Sequence, residues 1–167
     1  MQSALSIEHI VMPLLTIALL VCTAIIVYSD VRFMIIPNAA NLAVLSGGLI
    51  LCGFDGLSGV AVGLSTAVVI FALLWSVRRV HFRATGRVGL GMGDVKFMAA
   101  ASTWLQIALF PVFLFVASFL GLTFALASKG SDTPWQSRRI PFGPFLASSL
   151  VLTWLLSNPI LSILELL

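Results

Sequence analysis

Only six of the 167 residues are acidic, and two of them stand in stretches that could carry chemistry. Asp94 follows spaced glycines in "GLGMGDVK", residues 89–96, and Asp30 begins "DVRFMIIPN", residues 30–38. Two carboxyl groups held close together cannot both ionise easily, so they share a proton. The ionised one then activates water while the protonated one polarises a carbonyl, which is the chemistry of aspartic proteolysis. Other hydrolytic arrangements are poorly served. The two histidines, His9 and His81, are predicted on opposite sides of the membrane, and neither an H-E-x-x-H nor a G-x-S-x-G pattern occurs. Zinc and serine chemistry are not indicated, and neither a metal nor a cofactor is expected.

The elements that must position such a pair are apolar helices. Hydrophobic residues make up 60% of the chain and charged residues 9%, with a mean hydropathy of +1.13, far from the composition of a soluble domain. A helix crosses the hydrocarbon with roughly 20 apolar residues. Uncharged runs cover 10–29, 33–54, 56–77, 97–128 and 140–164. The fourth is too long for one ordinary span and slightly short for two. Lysine and arginine gather on the cytoplasmic side of inner-membrane proteins, and this decides the count. A hairpin turning near Pro111 puts Arg32, Arg78, Arg79, Arg83, Arg87, Lys96, Lys129, Arg138 and Arg139 all on one side, with Asp30, Asp94 and Asp132. Glu8, Asp55 and Glu165 fall on the other.

The expected fold is therefore an all-α integral membrane protein with six transmembrane helices and both termini outside the cytoplasm. It forms one domain over residues 1–167 in a bacterial inner membrane. Helices are predicted over 11–29, 38–53, 57–77, 94–110, 112–128 and 144–164. Glu8 and His9 precede the first span where a signal peptide would carry positive charge, so that span reads as an uncleaved helix. Cys22 and Cys52 lie inside apolar runs and read as packing residues. The Ser58, Gly59, Gly63 and Ser65 pattern suits close helix packing. The basic loop over 78–93 reads as topology and attraction to anionic lipid, with no nucleic-acid partner expected.

This topology sets both aspartates at the cytoplasmic edge. The 17 residues from Asp94 to Pro111 rise roughly 25 Å as a helix, short of the roughly 30 Å hydrocarbon core, so Asp94 is slightly submerged and should face a polar partner. Gly91 and Gly93 permit close backbone approach, and Asp94 itself suits an N-cap. Pro37 suits a helix start and Asn38 can cap or turn. Simpler roles are also open: Asp94 as a cap only, and Asp30 paired with Arg32. If the pair is catalytic, Asp30 lies near a helix C-terminus and Asp94 at a helix N-terminus beside Lys96. That asymmetry predicts Asp94 charged and Asp30 protonated. Two other classes compete, a small proton-coupled transporter and a noncatalytic subunit of a pilus or secretion machine. The first predicts carboxylates spread through the membrane depth, which is not the pattern here.

At these residues the sequence resembles the type IV prepilin peptidases, membrane aspartic proteases of the GxGD type. Gly91, Met92, Gly93, Asp94 and Lys96 match the G-x-G-D-x-K element, Asp30 with Pro37 and Asn38 matches the first aspartate element, and "IPFGPFLASS", residues 140–149, is similar to the family's approach to its last helix. The resemblance implies catalytic roles for Asp30 and Asp94, with Gly91, Gly93, Pro37, Asn38 and Lys96 shaping the site. It implies removal of a basic leader from prepilin-like precursors, which carry an apolar N-terminal helix, at the cytoplasmic membrane face. Larger members hold an N-terminal segment with paired C-x-x-C elements and N-methylate the new terminus. No such element occurs in these residues, so the resemblance points to the short form serving Flp or Tad pili, without methylation. Archaeal preflagellin peptidases are similar in the same motifs.

Overall fold

The computed structural model describes residues 2–87, 89–127 and 140–157, with side chains from residue 10 onward. Its elements are α1 (Gln2–Phe33), α2 (Asn38–Cys52), α3 (Gly56–Thr85), α4 (Met92–Ala101), α5 (Phe110–Ala127) and α6 (Gly143–Leu155), with single 3-10 turns at Gly53–Asp55 and Ile107–Leu109. Among the described residues the fold is all-helical. Three stretches are long and apolar enough to cross a membrane, Ile10–Phe33, Asn38–Thr85 and Ile107–Ala127, and Gly143–Leu155 is apolar but shorter. The outer surface is as apolar as the interior. Leu57 is 90% exposed and Phe115 70%, the inverse of a water-soluble protein and appropriate to a lipid solvent.

The long stretch Asn38–Thr85 is a hairpin. Gly63 on α3 packs against Cys52 and Leu49 of α2, and Gly59 lies against the Cys52 carbonyl; a continuous helix would hold these residues more than 10 Å apart. Gly56, at φ +76°, supplies the left-handed backbone the reversal needs. The small-residue pattern predicted on helix 3 thus divides. Gly59 and Gly63 admit α2, whereas Ser58 and Ser65 are exposed and bond local carbonyls, that of Asp55 just before the helix and that of Val62 within it.

Two helices outrun their predicted ends. α1 continues from 29 to Phe33, so Asp30 lies inside its last turn, and it stops at Met34, whose φ of +56° places its N–H on the Asp30 carbonyl at 2.9 Å. α3 continues from 77 through Arg78, Arg79 and Arg83, ending where Gly86 adopts φ +66° and bonds the Phe82 carbonyl. In both cases the apolar run ends before the helix does, and in α3 the reason is plain, since arginines have good helix propensity and carry the helix into the polar zone.

The fourth predicted helix is the main correction. It was expected over 94–110 with a turn near Pro111; α4 stops at Ala101 after 10 residues, about 15 Å of rise, and the chain turns over 102–106. Pro111 instead sits in the first turn of α5, where its missing N–H costs nothing. Non-helical backbone at membrane depth is tolerated only where protein buries it, and here residues 102–105 are buried. Thr103 and Trp104 pack over Gly47 and Gly48 of α2, the Trp104 indole N–H donates to the Val44 carbonyl at 2.7 Å, and Trp104 meets Trp154 edge to face at 5.5 Å.

α6 is the central post, packed against α1, α4 and α5. Leu146, Ala147, Ser149, Leu150 and Thr153 are all buried along it. It runs antiparallel to α5, since Ser149 Oγ donates to the Phe113 carbonyl at 2.6 Å while Gly121 lies against Phe142 and Phe145. The C-terminus of α1 and the N-termini of α2, α4 and α6 consequently meet at one end of the bundle. Lys129, Asp132, Arg138, Arg139 and Glu165, used in the predicted topology, lie outside the described residues.

Candidate active site

Asp30 and Asp94 come together at that end. Asp30, on the last turn of α1, is 6% exposed, and its Oδ2 accepts the Gly143 main-chain N–H at 2.8 Å. Arg32 is not its partner; that residue lines a groove between α1 and α6. Asp94 is partly buried, and the two carboxylates lie close enough for the charge of Asp30 to act on Asp94. The N-cap of α4 is Gly91, with no side-chain cap, and Asp94 sits in the first turn. The predicted N-cap position is thereby corrected: Gly91 holds it, and Asp94 lies three residues on with its carboxylate turned back toward the Gly91 backbone.

Each sequence-predicted residue around the pair has a visible task. A methyl group at Gly91 would stand 2.6 Å from Asp94 Oδ2, so this glycine makes room for the carboxylate. Its backbone, at φ −66° and ψ 144°, is ordinary; space is what it supplies. A methyl group at Gly93 would meet the Ile36 side chain at 3.2 Å, so Gly93 lets α4 approach the link between α1 and α2. Pro37, extended at φ −63° and ψ 134°, caps α2. Asn38, the first residue of α2, accepts a hydrogen bond from Lys96 Nζ at 3.0 Å through its Oδ1. The two aspartate-bearing motifs are thus joined twice, by backbone contact at Gly93 and by the Lys96–Asn38 bond.

Two participants were not singled out from sequence. Arg78 donates from Nε to the Leu90 carbonyl at 2.9 Å, fastening the glycine-rich approach to α4 against α3. Its only sequence signal is membership of a basic run. Gly143 contacts Asp30 directly, and its signal was the Pro-Phe-Gly-Pro stretch. The α6 N-terminus also points at Asp30, so this carboxylate stands between the C-terminal end of α1 and the N-terminal end of α6, and the helix-end asymmetry used to assign the shared proton is reduced.

Residues 17–126 match the type IV leader peptidase family. The chain belongs to that family. It is 33% identical over 138 residues to a prepilin leader peptidase/N-methyltransferase of Aeromonas salmonicida, covering 79% of this chain and 46% of that protein. It is 32% identical over 141 residues to the protein of the same name from Neisseria gonorrhoeae, covering 81% and 47%. The chain spans about half the length of the curated relatives it matches. No solved structure matches it. Within this leader peptidase family member, the matched region contains both aspartates, both glycines of the motif and Lys96, whereas Gly143 lies beyond it.

Proposed function

We propose that this protein is an aspartic endopeptidase that removes the basic leader from type IV prepilin-like precursors at the cytoplasmic face of the bacterial inner membrane. The observation that carries the reading is the convergence of Asp30 and Asp94 from separate helices in a member of the leader peptidase family. In the proposed reaction the ionised carboxylate takes a proton from water as its oxygen attacks the scissile carbonyl, and the protonated carboxyl donates to the carbonyl oxygen. The tetrahedral intermediate collapses with the peptide C–N bond breaking and a proton passing to the departing amine. Gly91, Gly93, Pro37, Asn38 and Lys96 hold the pair in this reading, and none of them is asked to react.

The six helices are proposed to make six membrane passes, with α4 and the buried turn after it together forming the fourth. Six of the nine basic residues, Arg32, Arg78, Arg79, Arg83, Arg87 and Lys96, belong to the same end of the bundle as the aspartates, which supports a cytoplasmic site. That basic end is unsuited to holding a basic leader by charge. We assign most substrate affinity to packing of the precursor's apolar helix against the spans, with anionic lipids placing the leader. The test is incubation of the purified protein with a synthetic precursor bearing a basic leader and an apolar helix, with product masses and the new N-terminus determined. A single leader-removing cut is expected; an intact precursor would refute the reading.

A further inference from the structure

We propose that Gly143 is a positioning residue for Asp30: its main-chain N–H fixes Oδ2 of that carboxylate and leaves Oδ1 for the reacting water. The inference rests on the peptidase reading. The first N–H groups of a helix lack intrahelical partners. In α6 Pro144 has no N–H, Phe145 turns its N–H back to the Phe142 carbonyl at 3.1 Å, and Leu146 makes the first ordinary helical bond to the same carbonyl at 3.2 Å. Of residues 143–145, Gly143 alone offers a donor to a neighbouring element. Phe142, the N-cap, provides no side-chain cap, and Asp30 takes that place from α1 at 2.8 Å.

The residue type at 143 follows from this contact. A methyl group there would stand 2.7 Å from Asp30 Oδ2 and 2.9 Å from its Cγ, so an alanine displaces the carboxylate. The φ of Gly143 is not positive, and no left-handed backbone explains the glycine. Asp30 is 6% exposed and has little space to yield without changing its relation to Asp94. Among the described residues Gly143 is the one donor bonded to this carboxylate, so the orientation of the catalytic group depends on a single amide.

The experiment uses the full chain in detergent with the synthetic precursor as substrate. Gly143→Ala is expected to lower kcat by at least about 10²-fold, the order expected of a misplacement near 1 Å, with KM little changed and the pH profile altered in shape. Gly53→Ala is the control, since its backbone is right-handed helical and the added methyl group meets Val60 at an ordinary 3.8 Å, and it should retain native kcat. A purely structural cap predicts a lower Tm with native kcat and pH profile at permissive temperature, and that result overturns the proposal. Thermal melting gives a second arm. Gly143→Ala should lower Tm, or membrane abundance, in the native background and much less in an Asp30→Ala background; equal losses in both would overturn the contact's role. Asp30→Asn at native rate would sink the peptidase reading and this proposal together, whereas inactive Asp30→Asn with fully active Gly143→Ala sinks the proposal alone.

Discussion

The chemistry of this protein depends on where two short side chains can be placed. Asp30 and Asp94 have few rotamers and little reach, so backbone must come to them, and the glycines at 91 and 143 are the two places where it does. The account expects Gly91→Ala to reduce leader cleavage by about 10²-fold, the cost of moving a reacting group by roughly 1 Å, at unchanged membrane abundance. Native kcat in that variant would show that Asp94 needs no such space. The two aspartates, Gly91, Gly93 and Pro37 stood out in the sequence because glycine, proline and intramembrane acid each carry a steric or solvation constraint, whereas Asn38 and Lys96 joined the proposed site through the family resemblance. The Gly143 contact could not, since it joins residues 113 positions apart, and neither periodicity nor spacing encodes which helix start will face a given carboxylate.

At the scale of elements, hydropathy gave the existence and order of the helices but not their ends. The membrane boundary and the helix boundary coincide only when a breaker stands at the interface. Pro37 is such a breaker, and α2 begins beside it as predicted; Arg78 and Arg79 are not, and α3 runs on to Thr85. The short α4 was hidden for a different reason. Residues 102–109 are uncharged, so the charge-free run passes through them unbroken, and what stops the helix is tertiary, a seat for Thr103 and Trp104 over Gly47 and Gly48. Trp104→Phe removes the indole donor to Val44 and should destabilise the bundle by about 1–2 kcal/mol, seen as a lower Tm. Cleavage at permissive temperature should persist, because this turn lies at the far end of α4 from Asp94. A Tm equal to the native value would mean that the bond does not hold the turn.

For the whole molecule, the two aspartates, three helix starts and the basic residues among the described ones share one end, and Asp55 with the turn after α4 marks the other. Single cysteines introduced at Thr85 and Ser58, in a chain with Cys22 and Cys52 replaced, should react with a membrane-impermeant thiol reagent from opposite sides of the membrane. The residue 58 label should appear in intact cells and the residue 85 label only after the cytoplasm is opened. The reverse pattern would contradict the cytoplasmic placement. The all-helical, membrane-spanning character was legible because a bilayer permits few solutions for so apolar a chain, while the number of passes and their orientation are inferred from the basic residues and are what the labelling tests. The central claim is that Asp30 and Asp94 act as one catalytic unit. Its most direct test is co-expression with a prepilin-like precursor of the native protein, Asp30→Asn and Asp94→Asn at matched membrane levels, reading the precursor's new N-terminus. The account predicts one defined cut with the native chain and none with either variant; native cleavage by either variant would contradict it.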